Sequence, residues 1–397
     1  MLTSMALIFL CGLFLGVLLR RMGLPPLLGM LLAGMALGPH ALNLLAGPVL
    51  AISGDLRRMA LIIILTQAGL SLDLGDLRQV GRPALLLCFM PACFEIAGML
   101  LLAPTLLGVS PAEAALIGAV VAAVSPAVVV PKMLQLMEQG YGTEKHIPQM
   151  IVAGASVDDV FVIVLFTAFT DLARGGEFSP LQLLGIPVSI ALGLLAGLLL
   201  GCGLAALFRR VRMGDTVKIL LLLSLSFLLL ELEELLQGRI PFAGLLAVMA
   251  MGVALRRRQG VLAERLSARF SRLWVAAEIL LFVLVGATVD PRYALAAGGA
   301  AVLAILGALA LRMLGVQACL LGTGLSGKER LFCMIAYCPK ATVQAAIGAL
   351  PLGMGLPCGG LVLTVAVLAI IITAPLGAVG VEKSYRHLLQ RQLTTGG

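Results

Sequence analysis

The 397-residue chain is 60% hydrophobic and 12% charged, carries a formal net charge of +8 and has a mean hydropathy of +1.09. No soluble core of this length reads that way, so the composition leaves an all-α polytopic membrane protein. Its basic surplus does not argue for nucleic acid, because no separate basic domain is set aside for it.

Charged positions gather between apolar runs, dividing the chain into about thirteen predicted transmembrane helices. They cover residues 3–19, 25–38, 57–72, 83–103, 112–131, 148–171, 181–207, 217–236, 241–255, 273–289, 294–321, 330–349 and 359–380. The first run has no basic residue ahead of it, and its basic pair, Arg20 and Arg21, follows it. It therefore reads as a retained span and not as a cleaved signal peptide. With the N-terminus outside, 21 of the 28 basic residues fall on the cytoplasmic side. That bias predicts an inner-membrane protein with its C-terminus in the cytoplasm. The eight cysteines are scattered singly, with no CxxC or Cys/His spacing, and read as small apolar packing residues. No cofactor is called for. The histidines, His40, His146 and His387, fall in loops or the tail.

In chain order, predicted helices 1 to 3 (residues 1–72) carry Gly29, Gly34 and Gly38, which allow close helix approach, and read as scaffold or dimer surface. Helix 4 places Glu95 midway along its span, and Ser110 with Glu113 forms a capping box opening helix 5. Helix 5 then meets Ser125-Pro126. Proline removes a backbone donor and clashes one turn back, so a break is expected there, with free carbonyls and amides available as ion ligands.

Helix 6 brings Asp158 and Asp159 into the middle of an apolar run, about 15 Å from either end. Carboxylates at that depth are costly and point to proton or cation handling. Helix 7 (181–207) is a Gly/Leu-rich linker, and Glu231, Glu233 and Glu234 read as a solvated end of helix 8. A basic loop from Arg256 to Arg272 separates helices 9 and 10 and is expected on anionic lipids of the cytoplasmic leaflet. Glu278 lies just inside helix 10. Arg312 is deep in helix 11, Ser326 and Glu329 repeat the capping box, and helix 12 carries Pro339 followed at once by Lys340.

These signals align across two halves. Leu106-Leu-Gly108 recurs as Leu320-Leu-Gly322, the boxes follow, and Ser125-Pro126 recurs as Cys338-Pro339, all at offsets of 213 to 216. The matching broken helices are an odd number of crossings apart, so the copies run oppositely. Inverted repeats with a broken, crossing helix in each half mark secondary transporters that bind substrate near the midplane. Five intramembrane charges then share the core: Glu95, Asp158, Asp159, Arg312 and Lys340. Pairing is near-obligatory. Depth suggests Glu95 with Arg312 and Asp158 with Lys340. Asp159 is left for Na⁺ or Li⁺, together with Asp158 and the hydroxyls of Ser125, Ser156 or Thr342. The adjacent carboxylates would titrate as a coupled pair.

The stretches Val124-Ser-Pro-Ala-Val-Val-Val-Pro131, Gly140-Tyr-Gly142, Ser156-Val-Asp-Asp159 and Pro339-Lys-Ala-Thr-Val-Gln-Ala-Ala-Ile-Gly348 resemble the NHA-type sodium/proton antiporters of the monovalent cation/proton antiporter superfamily. The resemblance implies a thirteen-helix fold with a mobile core (83–171 and 294–380), a dimerising scaffold (1–72 and 217–289), a linker (181–207) and a short cytoplasmic tail (381–397). It implies elevator-type exchange of Na⁺ or Li⁺ for H⁺ by a homodimer, with Asp159 as chief ion carrier, Asp158 as its lysine-paired neighbour and a Glu95–Arg312 pair. Many double-aspartate relatives carry lysine where Arg312 stands. Arginine does not release a proton in this range, which argues against that position as a proton carrier. No nucleotide-sensing C-terminal domain is expected.

Three rival readings are open to test. An organic-anion symporter would use Arg312 and Lys340 as substrate clamps. A passive channel would lack saturable counterflow. An intramembrane aspartyl protease needs facing acids, but neighbouring residues on one helix differ in direction by about 100°, so the chain is not expected to be an enzyme.

Overall fold

The computed structural model of the protein describes residues 1–71, 81–174, 180–236, 240, 242–289 and 291–391. Within them the structure is helical, with a single isolated β-bridge between Tyr141 and Arg391. Among the described residues, seven helices are long and apolar enough to cross a membrane. Of the other predicted spans, 25–38 and 241–255 correspond to shorter helices and 112–131 and 330–349 to interrupted ones, while 57–72 and 217–236 are continuous helices of 19 and 22 residues. Length and apolarity therefore do not by themselves return a count of thirteen.

The helices are α1 (Leu2–Arg21), α2 (Pro26–Leu37), α3 (Gly47–Ala51), α4 (Ser53–Ser71), α5 (Arg82–Leu87) and α6 (Met90–Leu107). Next come α7 (Pro111–Ala122), α8 (Pro126–Glu138), α9 (Ile147–Ala173), α10 (Pro180–Arg210), α11 (Asp215–Leu236) and α12 (Gly244–Arg258). The last are α13 (Gly260–Thr288), α14 (Pro291–Cys319), α15 (Gly327–Ala336), α16 (Thr342–Ile347), α17 (Leu350–Gly353) and α18 (Gly359–Leu388). They form two compact units, one of residues 1–54, 75–174 and 281–397, the other of residues 55–74 and 175–280.

In the first unit α6 packs along α14 and against α7, and α9 lies against both halves of the broken pair α7–α8. Its interior gathers Leu87, Met133, Ile151, Phe332 and Tyr337. Both capping boxes form, on α7 (Ser110 with Glu113) and on α15 (Ser326 with Glu329). Each follows a glycine in the left-handed region, Gly108 at φ 67° and Gly322 at φ 76°, a turn that a side chain would strain. The two halves thus repeat their local devices in order.

The end of α18 folds back on the loop after α8. Gly142 N–H donates to Gln390 O at 2.8 Å, and the Tyr141 and Tyr385 rings meet edge to face at 5.0 Å. The helix runs two turns beyond its predicted end because Val381 and Tyr385 are buried. Residues 392–397 of the predicted tail lie outside the described residues.

The second unit packs Leu70, Leu204, Phe208, Leu222, Met251, Leu255, Leu266 and Phe270 into one core. Small polar pairs tie its helices: Gln67 Nε2 donates to Ser271 Oγ at 2.8 Å, and Ser71 and Ser267 hydroxyls meet at 2.7 Å. Here the sequence reading needs correction, because residues 260–272 of the predicted basic loop are the first turns of α13. Leu262, Ala263, Leu266 and Phe270 recur at helical spacing and are buried, while Arg265 and Arg269 turn outward onto Asp215, each at 3.1 Å. Charge density had hidden an amphipathic helix. A second correction falls in predicted helix 4, which is interrupted at Cys88 and Phe89. Pro91 cannot donate to the carbonyl one turn earlier, so the helix restarts at Met90.

Candidate functional site

Two chain breaks build the site. The α7 helix stops at Ala122, residues 123–125 are non-helical, and Pro126 begins α8 at a position where its missing N–H is unneeded. The second break spans residues 337–341, between α15 and α16, and contains Pro339 and Lys340. The breaks touch, since Ser125 N–H donates to Pro339 O at 2.8 Å. Helix α18 passes close behind through Gly377, where a Cβ would stand 2.2 Å from Pro339 Cγ. The Thr373 hydroxyl on the same helix accepts from Lys340 N–H at 3.0 Å.

Peptide groups freed by the first break are taken up by buried side chains. Ala122 O accepts from Arg312 Nη1, Ala123 O accepts from Gln344 Nε2 at 2.8 Å, and Val124 N–H donates to Asp158 Oδ2 at 2.9 Å. The five predicted intramembrane charges are all buried, with Asp159 the most accessible at 8%. Arg312 uses every face of its guanidinium. Nε donates to Tyr337 O at 3.0 Å, Nη1 to Glu95 Oε2 at 3.0 Å and Nη2 to Asp158 Oδ2 at 2.9 Å. Its guanidinium carbon also stands 5.6 Å over the Tyr337 ring. Lys340 Nζ binds Glu95 Oε2 at 2.7 Å.

The expected Asp158–Lys340 pair is therefore not the one that forms. Arginine's planar fork carries several donors in fixed directions and here bridges two carboxylates at once, while the lysine ammonium, a compact charge with three rotatable donors, binds Glu95. Arg312 takes both Glu95 and Asp158, and Lys340 shares Glu95. Glu95, Asp158, Arg312 and Lys340 together sum to zero charge. Asp159 stands outside that balance: no ion pair reaches it and its Oδ1 is buried without a hydrogen-bond partner among the described residues. Asp158 Oδ1 is left open in the same way.

Ser125 and Thr342 lie across the breaks with their hydroxyls 3.5 Å apart, both buried. The side chain of Ser156 lies outside the described residues. Tyr337, Gln344 and Thr373 belong to the network and were not singled out as site residues. A polar residue inside the apolar run after Lys340 was the available signal for Gln344.

An all-helical membrane chain whose two interrupted helices meet beside buried acids has the architecture of a multi-pass ion transporter fold. A family model described as "Sodium/hydrogen exchanger, transmembrane" matches residues 5–382, and the chain belongs to that family. It is 32% identical over 348 residues to the mouse sodium/hydrogen exchanger 9B2, covering 85% of this chain and 63% of that one. It is 33% identical over 342 residues to the human sodium/hydrogen exchanger 9B1, covering 82% and 65%. The chain thus spans just under two thirds of the length of these relatives. Its fold matches the sodium proton antiporter MjNhaP1 of Methanocaldococcus jannaschii at pH 8, with a TM-score of 0.84 over 98% of both chains at 20% identity.

Proposed function

We propose that the protein is a secondary antiporter exchanging Na⁺ or Li⁺ for H⁺ across a membrane. The observation that carries this reading is the charge count at the crossing. Four charges cancel in bonded pairs, and the fifth, Asp159, is a buried carboxylate with an open oxygen. Such a group needs a partner in a low-dielectric interior. A proton or a small cation each supplies one, so the two compete, and binding one expels the other. Asp158 Oδ1 and the hydroxyls of Ser125 and Thr342 are the nearby hard oxygens suited to a monovalent cation.

Alternating access would follow an elevator course, with residues 83–171 and 294–380 as the moving core and residues 1–72 and 217–289 as scaffold. The relatives named as sodium/hydrogen exchangers support the same cargo. We further assign a homodimer in the cell membrane, contacting anionic lipids on its cytoplasmic side, with the N-terminus outside. The organic-anion reading fares worse on one observation: Arg312 is bonded to Glu95, Asp158 and backbone carbonyls and Lys340 to Glu95, so both positive charges are already balanced by carboxylates of the protein itself.

The test is proton efflux from proteoliposomes holding a pH gradient, with Na⁺, Li⁺ or K⁺ added in turn. Wild type is expected to release protons on cation addition, and Asp159→Asn to be silent. Silence of correctly oriented wild type towards all three cations would overturn the reading.

A further inference from the structure

Gln344 is fully buried on α16, two residues past Thr342, and its amide is used unevenly. Nε2 donates to Ala123 O at 2.8 Å and lies 3.4 Å from Val121 O. Oε1 is buried and has no hydrogen-bond partner among the described residues. Reversing the amide would set its oxygen against two carbonyl oxygens, so the orientation is fixed by its acceptors. A buried amide that uses its hydrogens and wastes its oxygen is placed there for its donors.

The carbonyl it grips belongs to the same peptide group whose N–H holds Asp158. Ala123 O accepts from Gln344, and the adjoining Val124 N–H donates to Asp158 Oδ2 at 2.9 Å. Hydrogen bonds in such a chain polarise one another, and the low dielectric amplifies the effect. The geometry points to Gln344 as a positioning residue for the cation site, acting from the second broken helix through the Ala123–Val124 peptide onto Asp158. It holds the peptide plane so that Oδ2 stays engaged and Oδ1 remains open. This rests on the reading of Asp158 and Asp159 as the exchange site. The other charged or titratable groups around Asp158 are Arg312 from α14, Glu95 from α6, Lys340 and Tyr337 from the second break, Asp159 beside it, and the thiols of Cys88 before α6, Cys93 on α6 and Cys319 at the end of α14. None of them binds the Ala123–Val124 peptide among the described contacts, so only Gln344 sets its tilt from the far side.

The experiment compares wild type, Gln344→Met and Gln344→Leu in proteoliposomes, following the apparent KM for Na⁺ and the pH of half-maximal exchange. Methionine keeps length and apolar packing without a donor; leucine keeps a branched apolar end without a donor and adds no charge. Without the donor the Asp158 carboxylate is less well held, and the proton competes better. Both variants should raise KM by roughly three- to tenfold and move the half-maximal pH to more alkaline values, with the maximal rate at saturating Na⁺ and alkaline pH retained. Gln344→His, which can present a ring N–H to Ala123 O, should restore part of the shift and serves if the first two variants do not fold. An unchanged KM and pH profile in the donorless variants, or a fall in maximal rate and thermal stability with no movement of the pH midpoint, would overturn the proposal. Inactive wild type would instead strike at the antiport reading itself.

Discussion

At the residue scale, the choice between arginine and lysine decides the wiring of the site. Sequence spacing set all five charges inside apolar runs, and all five are buried. It could not give the partners, because those depend on the direction in which a fork or a point donor reaches. Outside the membrane spans a simpler pair makes a pH prediction. Burial works against the Glu329 carboxylate, but the hydrogen bond from Lys145 at 2.9 Å and the capping contacts from Ser326 outweigh it and hold it below the usual carboxylate range. A depressed acid contributes stability above its unfolded value, about 4.3, and loses it as pH falls through the folded one. Glu329→Gln should therefore lower stability by about 1 kcal/mol at neutral pH, and the gap to wild type should close in acid. Thermal unfolding in detergent across that range checks it; a gap independent of pH would count against the pair.

At the element scale, the breaks were legible because a proline within an apolar run removes a backbone donor, although Pro104, Pro131 and Pro375 sit inside continuous helices and proline alone does not decide a break. Pro126 and Pro339 each sit where the helix stops, and the structure adds that the two gaps bond to one another. The restart of α6 after Cys88 and Phe89 had the same cause in Pro91 but was masked by the length of the apolar run. The α13 start was hidden for the opposite reason, since dense arginines read as a loop until their buried apolar partners are known. The crossing also depends on how near α18 can come. Gly377→Ala would drive a methyl into the Pro339 ring, and overpacking of this kind costs roughly 1–3 kcal/mol. Loss of thermal stability and of exchange is expected, whereas Gly360→Ala on the same helix, where a Cβ meets open space, should be neutral or mildly stabilising. Equal behaviour of the two variants would refute the close-approach argument.

At the scale of the whole molecule, hydropathy and the lysine and arginine pattern carried the membrane class without help from packing. The orientation they give has a direct check. A fluorescent protein that matures only in the cytoplasm, fused after Arg391 and expressed in a bacterial host, should be bright, and the same fusion ahead of Met1 dark. The reverse pattern would invert the proposed topology. What the whole chain did not disclose is how its two halves share one polar network, because that sharing is made by residues more than two hundred positions apart, such as Glu95 and Arg312.

That contact bears on how the halves depend on one another. At the offset of 214 that relates Leu106–Gly108 to Leu320–Gly322, the position matching Glu95 is Leu309 and the one matching Arg312 is Gly98. Each charge is therefore carried by one half alone. Glu95 and Asp158 come from the first half, Arg312 and Lys340 from the second, and every ion pair among them crosses between the two. Neither half could bury its own charges unaided, so the copies are free to keep their capping boxes and turn glycines alike but must change together wherever a buried charge is gained or lost.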